Sequence, residues 1–266
     1  MAISAKDVMS LRQRTGLGMM ECKNALQETT GDVDAAIELL RKKLKGKMDD
    51  RSDRQAAEGV VAVAKGDGAI AMVELTCETD FVARNEQFIE AAGKVAQLAL
   101  QGADGPFEAN DAVNAIVEEL RITIQENIAM SQGVRLSGPV LGSYVHHNHK
   151  IGVVVQGEGD MSNELLTGIC QHITAAVPTP MAVDESSLDA TAVEEQRMAA
   201  IEEAKATGKP QHIAEKIATG KLRKWVDENT LVGQVYLREM EAKKPVRDFL
   251  PEGATIHSFV RYKLGG

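Results

Sequence analysis

The sequence predicts an α+β fold: a three-helix N-terminal module, then two related α/β halves with antiparallel sheets, the second interrupted by a helical hairpin. Three observations carry this expectation. Apolar residues recur at helical spacing in three short bursts before residue 45. Paired apolar runs around a polar turn occur twice, at 58–77 and 135–159, each followed by a helical stripe. Two amphipathic stretches joined by Thr-Gly-Lys then separate the second pair from a late strand.

Ser4 with Asp7 three residues on has the form of a capping box, and Val8 and Leu11 begin a helix that runs to Thr15-Gly16. "GMMECKNALQETTG" is a second helix closed by Gly31. "DVDAAIELLRKKLKG" is a third, with Asp32 as N-cap and Val33, Ala36, Ile37 and Leu40 on one face. So small a core suits a compact binding module, residues 1–54, with the polar stretch 46–56 as linker.

The texture then changes. "EGVVAVAKGDGAIAMVELTC" reads as a hairpin, because Asp67-Gly68 tolerates the positive φ that a tight turn requires. A helix follows from about Asn85, its buried stripe marked by Phe88, Ala92, Val95, Ala96 and Ala99. A second long helix spans 110–127. The order then repeats: "RLSGPVLGSYVHHNHKIGVVVQGEG" supplies two runs around a turn, and "DMSNELLTGICQHITAAVP" the helix. These halves are set at 55–140 and 141–266. The second contains the inserted hairpin 190–228, built from 190–206 and 210–228, and ends in "TIHSFVRYKL". A hairpin buries only one face against itself, so its remaining apolar positions invite a partner.

Composition excludes several classes. Apolar content of 44% with 26% charged residues is that of an ordinary globular protein. The N-terminus has no apolar core of a signal peptide, and no run approaches the ~18 to 20 apolar residues of a membrane span, so a cytoplasmic address and no membrane are expected. Cys22, Cys77 and Cys170 are widely spaced and in no CxxC arrangement, so they read as small buried hydrophobes. A net charge of −9 argues against direct nucleic-acid binding, which needs a surplus of cations on one face. The basic run "RKKLKGK" (41–47) fits the last turn of a helix and the loop after it, and "DDRSDR" cancels its charge.

No catalytic arrangement stands out, and neither an enzyme activity nor a cofactor is expected. "HHNH" (146–149) with Cys170 and His172 invites a metal site, but adjacent histidines in a turn point in different directions and no ligand pair has i, i+4 spacing. Gly93-Lys94 and Gly208-Lys209 lack the upstream glycine of a phosphate loop. Nothing in the sequence offers Cys77 a base. The chain reads as built to touch another protein.

Phe81, in "ETDFVARNEQF" (78–88), is the ambiguous ring in a chain with only 3% aromatic residues. One helix from Thr79 through Ala99 would put Phe81 seven residues before Phe88, on the same buried face. Alternatively, Asn85 caps a helix of its own and leaves "TDFV" as a separate turn at the tip of the sheet. On that turn an exposed Asp-Phe pair would serve as a wedge, with a ring to enter a groove and a carboxylate to redirect a neighbour.

Three segments, "RTGLGMMECKNAL" (14–26), "ETDFVARNEQF" (78–88) and "GSYVHHNHKIGVVV" (142–155), together resemble the bacterial elongation factor Ts family, in the family's order and at its separations. The resemblance covers nearly the whole chain. It implies a guanine-nucleotide exchange factor, not an enzyme, acting on the G domain of elongation factor Tu during translation elongation. The first 54 residues would then be a module similar to ubiquitin-associated domains, contacting that partner through Arg12, Met19 and Met20. Thr79, Asp80, Phe81 and Val82 match the family's signature, in which the Asp-Phe pair presses between two helices of the G domain. His146 is the best match to a family histidine at the same interface, with His147 competing for the role. The hairpin matches the family's coiled-coil protrusion, and self-association through it would give a homodimer in a two-plus-two complex.

In one respect the chain departs from the family: members usually continue past the last strand into a C-terminal helix that also touches the G domain, whereas this sequence stops at "RYKLGG". Two rival classes are weighed beside the exchange factor. A ubiquitin-associated adaptor would need only residues 1–54, and the matched core opposes it. An enzyme would need a pocket with convergent polar groups.

Overall fold

A computed structural model describes residues 3–49, 53–206 and 210–265. Ser4 opens α1 (Ala5–Thr15) with the expected reciprocal box: its Oγ accepts from the Asp7 amide at 3.2 Å, and the Asp7 carboxylate accepts from the Ser4 amide at 3.1 Å. The Ser4 hydroxyl also donates to the Asp7 carboxylate at 2.7 Å, and this bond, with the one from the Ser4 amide, holds the Asp7 carboxyl below its usual pKa. Next come α2 (Met19–Glu28) and α3 (Val33–Asp49), where the Asp32 carboxylate accepts from the amides of Asp34 and Ala35 at 3.0 Å each. The three helices bury Val8, Leu11, Leu17, Cys22, Leu26, Ala36, Leu40 and Leu44 in one cluster.

Here the structure corrects the sequence reading. α3 continues through Gly46 to Asp49, so the first part of the stretch expected to be linker is helical. The basic run therefore lies along the helix rather than at its end. Two of its cations are paired across elements, Lys43 with Glu28 and Lys45 with Glu118 at 3.1 Å. Such exposed pairs contribute little each, but they give the helix a use for its cations other than phosphate.

The first sheet has the order β1-β2-β4-β3. β1 (Glu58–Gly66) and β2 (Ala69–Cys77) form the expected hairpin, with Gly66 opposite Ala69. α4 (Asp80–Ala83) and α5 (Glu86–Leu100) follow, then the short β3 (Gly105–Pro106), α6 (Asp111–Ile124) and β4 (Ala129–Ser137). The return strand β4 is not among the expected strands, and its last residues, 135–137, read above as opening the second pair of runs, pair with β2 instead. "AMSQGVRLS" mixes Ser131, Gln132 and Arg135 with apolar residues and lacks clean alternation, because a register shift beside Glu74 breaks its period. Phe88, Ala92, Val95, Ala96 and Ala99 of α5 are fully buried against β1 and β2, with Val113 and Leu120 of α6 in the same cluster.

In the second sheet the order is β5-β6-β7, from β5 (Val140–Val145), β6 (Ile151–Glu158) and β7 (Thr255–Lys263), all antiparallel. α7 (Asn163–Ala175) is capped by Ser162 and covers one face with Leu166, Ile169, Cys170 and Ile173. The opposite face meets the first sheet through Val61, Ile70, Met72, Val134, Val154 and Tyr262. Gly152 is required at this seam, since a Cβ there would overlap Val61 and Met72. This second layer explains why β2 is buried almost throughout rather than on alternate residues.

α8 (Ala190–Ala206) and α9 (Gln211–Asn229) form the expected hairpin, while the Thr-Gly-Lys joint falls outside the described residues. Its seam is made by Ala200, Ala204, Ala214 and Ala218, small side chains that allow close helix approach. Two of the 3-10 turns, Leu237–Ala242 and Val246–Phe249, were not anticipated. They bring Leu231, Tyr236 and Val246 onto the core beneath α7. Among the described residues, no helix is long and apolar enough to cross a membrane.

Candidate functional site

The two readings of Phe81 are separated by where the chain breaks. Thr79 is extended, at φ −124° and ψ 151°, and its Oγ1 accepts from the Val82 amide at 3.4 Å, which starts the single helical turn α4. Asn85 is again extended and caps α5, its Oδ1 accepting from the Gln87 amide at 2.8 Å. The helix is thus interrupted, and the seven-residue relation to Phe88 is lost. Ala83 is buried and Val82 packs on the core cluster, so the turn is seated by its second half. Phe81 faces out, 83% exposed, against 0% for Phe88.

An unpartnered ring in water forgoes about 2 kcal/mol or more of burial. The turn that bears it is nevertheless tied down firmly. The Glu126 carboxylate, just past the end of α6, accepts from the amides of Glu78 at 3.0 Å and Thr79 at 3.1 Å and from the Thr79 hydroxyl at 2.6 Å. In return the Glu78 carboxylate accepts from the Asn127 amide at 2.7 Å and pairs with Arg54 at 3.3 Å. Cys77 donates its thiol to the Thr79 carbonyl at 3.3 Å, and burial beside Glu126 pushes its pKa up to about 12, leaving it no thiolate reactivity. Asp80 pairs with Arg84 one turn on, at 3.1 Å.

His146 lies in the turn between β5 and β6. Its Nδ1 is 3.1 Å from the Tyr144 hydroxyl, and its ring centroid is 4.2 Å from that of His147. The two rings are therefore neighbours, contrary to the expectation that adjacent histidines in the turn point apart. His147 is exposed and His146 half-buried. Among the described residues, no group of three or more His, Cys, Asp or Glu side chains is placed to hold a metal ion.

This turn and the Phe81 turn share one end of the molecule. The His149 carbonyl accepts from the Val61 amide at 2.7 Å, and Lys150 reaches Glu58 at 2.6 Å. Glu58 is the residue opposite Cys77, where β2 leads into Thr79. Arg12, Met19 and Met20 are exposed on α1 and α2. The common support is the end of α6: Ile122 packs on the N-terminal cluster, Gly16 lies against Thr123, and Glu126 holds Thr79. Sequence reasoning missed Glu78 and Glu126. Their partners lie 24 to 49 positions away and no local pattern announces them.

A model of the family described as Elongation factor TS matches residues 78–266. The chain is 43% identical to Elongation factor Ts of Thioalkalivibrio sulfidiphilus, over all of this chain and 93% of that relative. It is 40% identical to that of Alkalilimnicola ehrlichii over the same shares, and 41% identical to that of Vibrio vulnificus over all of this chain and 92% of the relative. Family match and full-length identity agree: the chain belongs to the elongation factor Ts family of translation elongation factors.

Proposed function

We propose that the chain is a guanine-nucleotide exchange factor for elongation factor Tu, releasing GDP by pressing Asp80 and Phe81 into the partner's G domain. It performs no covalent chemistry of its own. The observation that carries this reading is Phe81, 83% exposed on a turn fixed by hydrogen bonds at its base. A rigid, exposed ring loses little freedom on docking and gains its full burial, the usual profile of an interface hot spot. Asp80, Thr79 and Val82 complete the contact surface.

A G protein grips GDP through phosphate contacts and a magnesium ion that depend on accurate placement of loops and helix termini. A ring wedged between packed helices shifts them, so factor and nucleotide weaken each other's binding by the same coupling free energy. GTP then refills the site and expels the factor. Arg12, Met19 and Met20 are the proposed docking contacts of residues 1–54, and the exposed methionines suit an adaptable apolar surface. His146, with His147 beside it, would join the same interface. Self-association through the hairpin is a further proposal. The test is release of a fluorescent GDP from purified elongation factor Tu: acceleration by this chain is expected, and an unchanged rate at saturating factor would refute the reading.

A further inference from the structure

The turn bearing Phe81 is oriented from outside its own element. α6 ends at Ile124, and Gln125, at φ 62°, reverses the chain so that Glu126 faces the base of the turn. The Glu126 carboxylate then receives three donors from two consecutive residues, the amides of Glu78 and Thr79 and the Thr79 hydroxyl. Both amides lie past the last residue of β2 and at or before the cap of α4, so neither sheet nor helix supplies them with an acceptor. The Thr79 hydroxyl, having given its proton to Glu126, keeps a lone pair for the Val82 amide. One carboxylate thus sets the direction in which the chain leaves β2 and where α4 starts, two residues before Phe81.

We infer that Glu126 is a positioning residue for the Phe81 contact: it touches no partner, and it fixes the pose from which the ring acts. The inference rests on the exchange-factor reading above. Loss of the carboxylate would not detach the turn, because Glu78 still holds the Asn127 amide and Arg54, and Val82 and Ala83 still sit on the core. It would let the turn swing, so that ordering it becomes a cost of docking, felt where the wedge acts rather than where the N-terminal module binds.

The experiment is stopped-flow release of fluorescent GDP from elongation factor Tu, titrated with full-length wild type, Glu126→Ala, Glu126→Gln, Phe81→Ala and the Glu126→Ala/Phe81→Ala pair. Glu126→Ala should lower the maximal release rate about tenfold, with half-saturation changed no more than about twofold. Glu126→Gln should recover most of the rate, since one amide oxygen still accepts from both backbone amides. The double variant should be no slower than Phe81→Ala alone, because two residues acting through one contact are not additive. A merely structural Glu126 would instead lower the melting temperature and add its loss to that of Phe81→Ala, and that result overturns the inference. So does a wild-type rate for Glu126→Ala beside a slow Phe81→Ala, with the exchange reading left standing. A wild-type rate for Phe81→Ala refutes the wedge itself and the positioning role with it. Should the alanine variant not fold, Glu126→Asp keeps the charge but withdraws it by one methylene. The same loss is expected of it, and a wild-type rate overturns the role.

Discussion

In the first half a hairpin, β1 and β2, is followed by α5 and later by a strand, β4, that returns antiparallel to β2; in the second half β5, β6, α7 and β7 repeat that plan. Even the irregularity recurs. The returning strand shifts register beside Glu74 in one half and beside Gln156 in the other. The halves differ at the joint between second strand and helix. In the second half residues 159–162 cross directly, burying Met161 and capping α7 with Ser162. In the first half residues 78–85 make the same crossing with an extra helical turn, and the largest hydrophobe at that joint, Phe81, faces water. Folding alone is served by the shorter joint. The longer one, clamped by Glu126, has the properties of a surface kept for a partner.

The largest effects should separate the two joints and the two phenylalanines. Phe88→Ala empties a fully buried site and should cost about 3–5 kcal/mol of stability in urea unfolding. Met161→Ala should cost about 2–5 kcal/mol, with exchange unaltered in the protein that remains folded. Phe81→Ala should leave the unfolding curve in place and slow catalysed GDP release by ten- to a hundredfold, or about 1–3 kcal/mol of coupling. A Phe81 variant that melts early would erase the contrast between the halves.

Next in size is the N-terminal module. We propose that residues 1–54 form a separable docking unit, because among the described residues their apolar cluster is completed from outside by Ile122 alone. A chain beginning near Ala56 should unfold cooperatively and need roughly tenfold more protein for half-maximal exchange. Unchanged half-saturation would reassign docking to the core.

A smaller difference is a pH response confined to the second half. Residues 55–140 contain no histidine, whereas α7 buries His172. Its Nδ1 accepts from the Leu237 amide at 3.3 Å and its Nε2 lies 2.9 Å from the Gln234 side-chain oxygen, so the ring is held neutral with its proton on Nε2. Gln234 cannot turn round, since its own amide donates to the carbonyls of Pro178 and Glu228. Burial accordingly lowers the pKa of His172 from its ordinary value. The unfolded chain takes up this proton near pH 6.5 and the folded one only below that, so stability is full above pH 6.5 and falls as pH drops toward the depressed value. The slope should not exceed about 1.4 kcal/mol per pH unit, and His172→Gln should flatten that part of the curve.

Legibility in the sequence followed from how local each cause is. The Ser4 box, the Asp67-Gly68 turn and the α5 stripe lie within single windows, and each was readable there. Phe81 stayed ambiguous because Asn85 caps equally well in principle and fails in a continuous helix, and tertiary packing of Val82 and Ala83 decides between them. β4 was invisible since its pattern depends on a bulge opposite β2. Glu126 was invisible since a carboxylate after a helix is ordinary until its distant donors are known.

The smallest effect is expected at the outer part of the other place where the halves diverge, the α8–α9 hairpin between α7 and β7. Among the described residues, its outer part packs on itself: Ala200, Ala204, Ala214 and Ala218 are buried at the α8–α9 seam, while Met198 and Ile213 stay exposed. Its base is different. Val193, Leu222, Trp225 and Val226 pack with Ala182 and Leu188, and the end of α9 is joined to the core by the Met181 amide donating to Asn229 at 2.8 Å and the Leu231 amide to Ala182 at 2.9 Å. Deleting 197–218 across a short Gly-Ser link should therefore change stability by less than about 1 kcal/mol, since a loop of similar closure replaces a self-contained element. Deleting 190–228 also strips Leu222, Trp225 and Val226 from their cluster, and should cost on the order of 3 kcal/mol while the β5-β6-β7 sheet stays folded. Urea unfolding of both deletions measures the difference, and light scattering on the same samples reads any self-association the outer hairpin supports. Equal costs for the two would mean that the tip, and not the base, ties the hairpin to the second half.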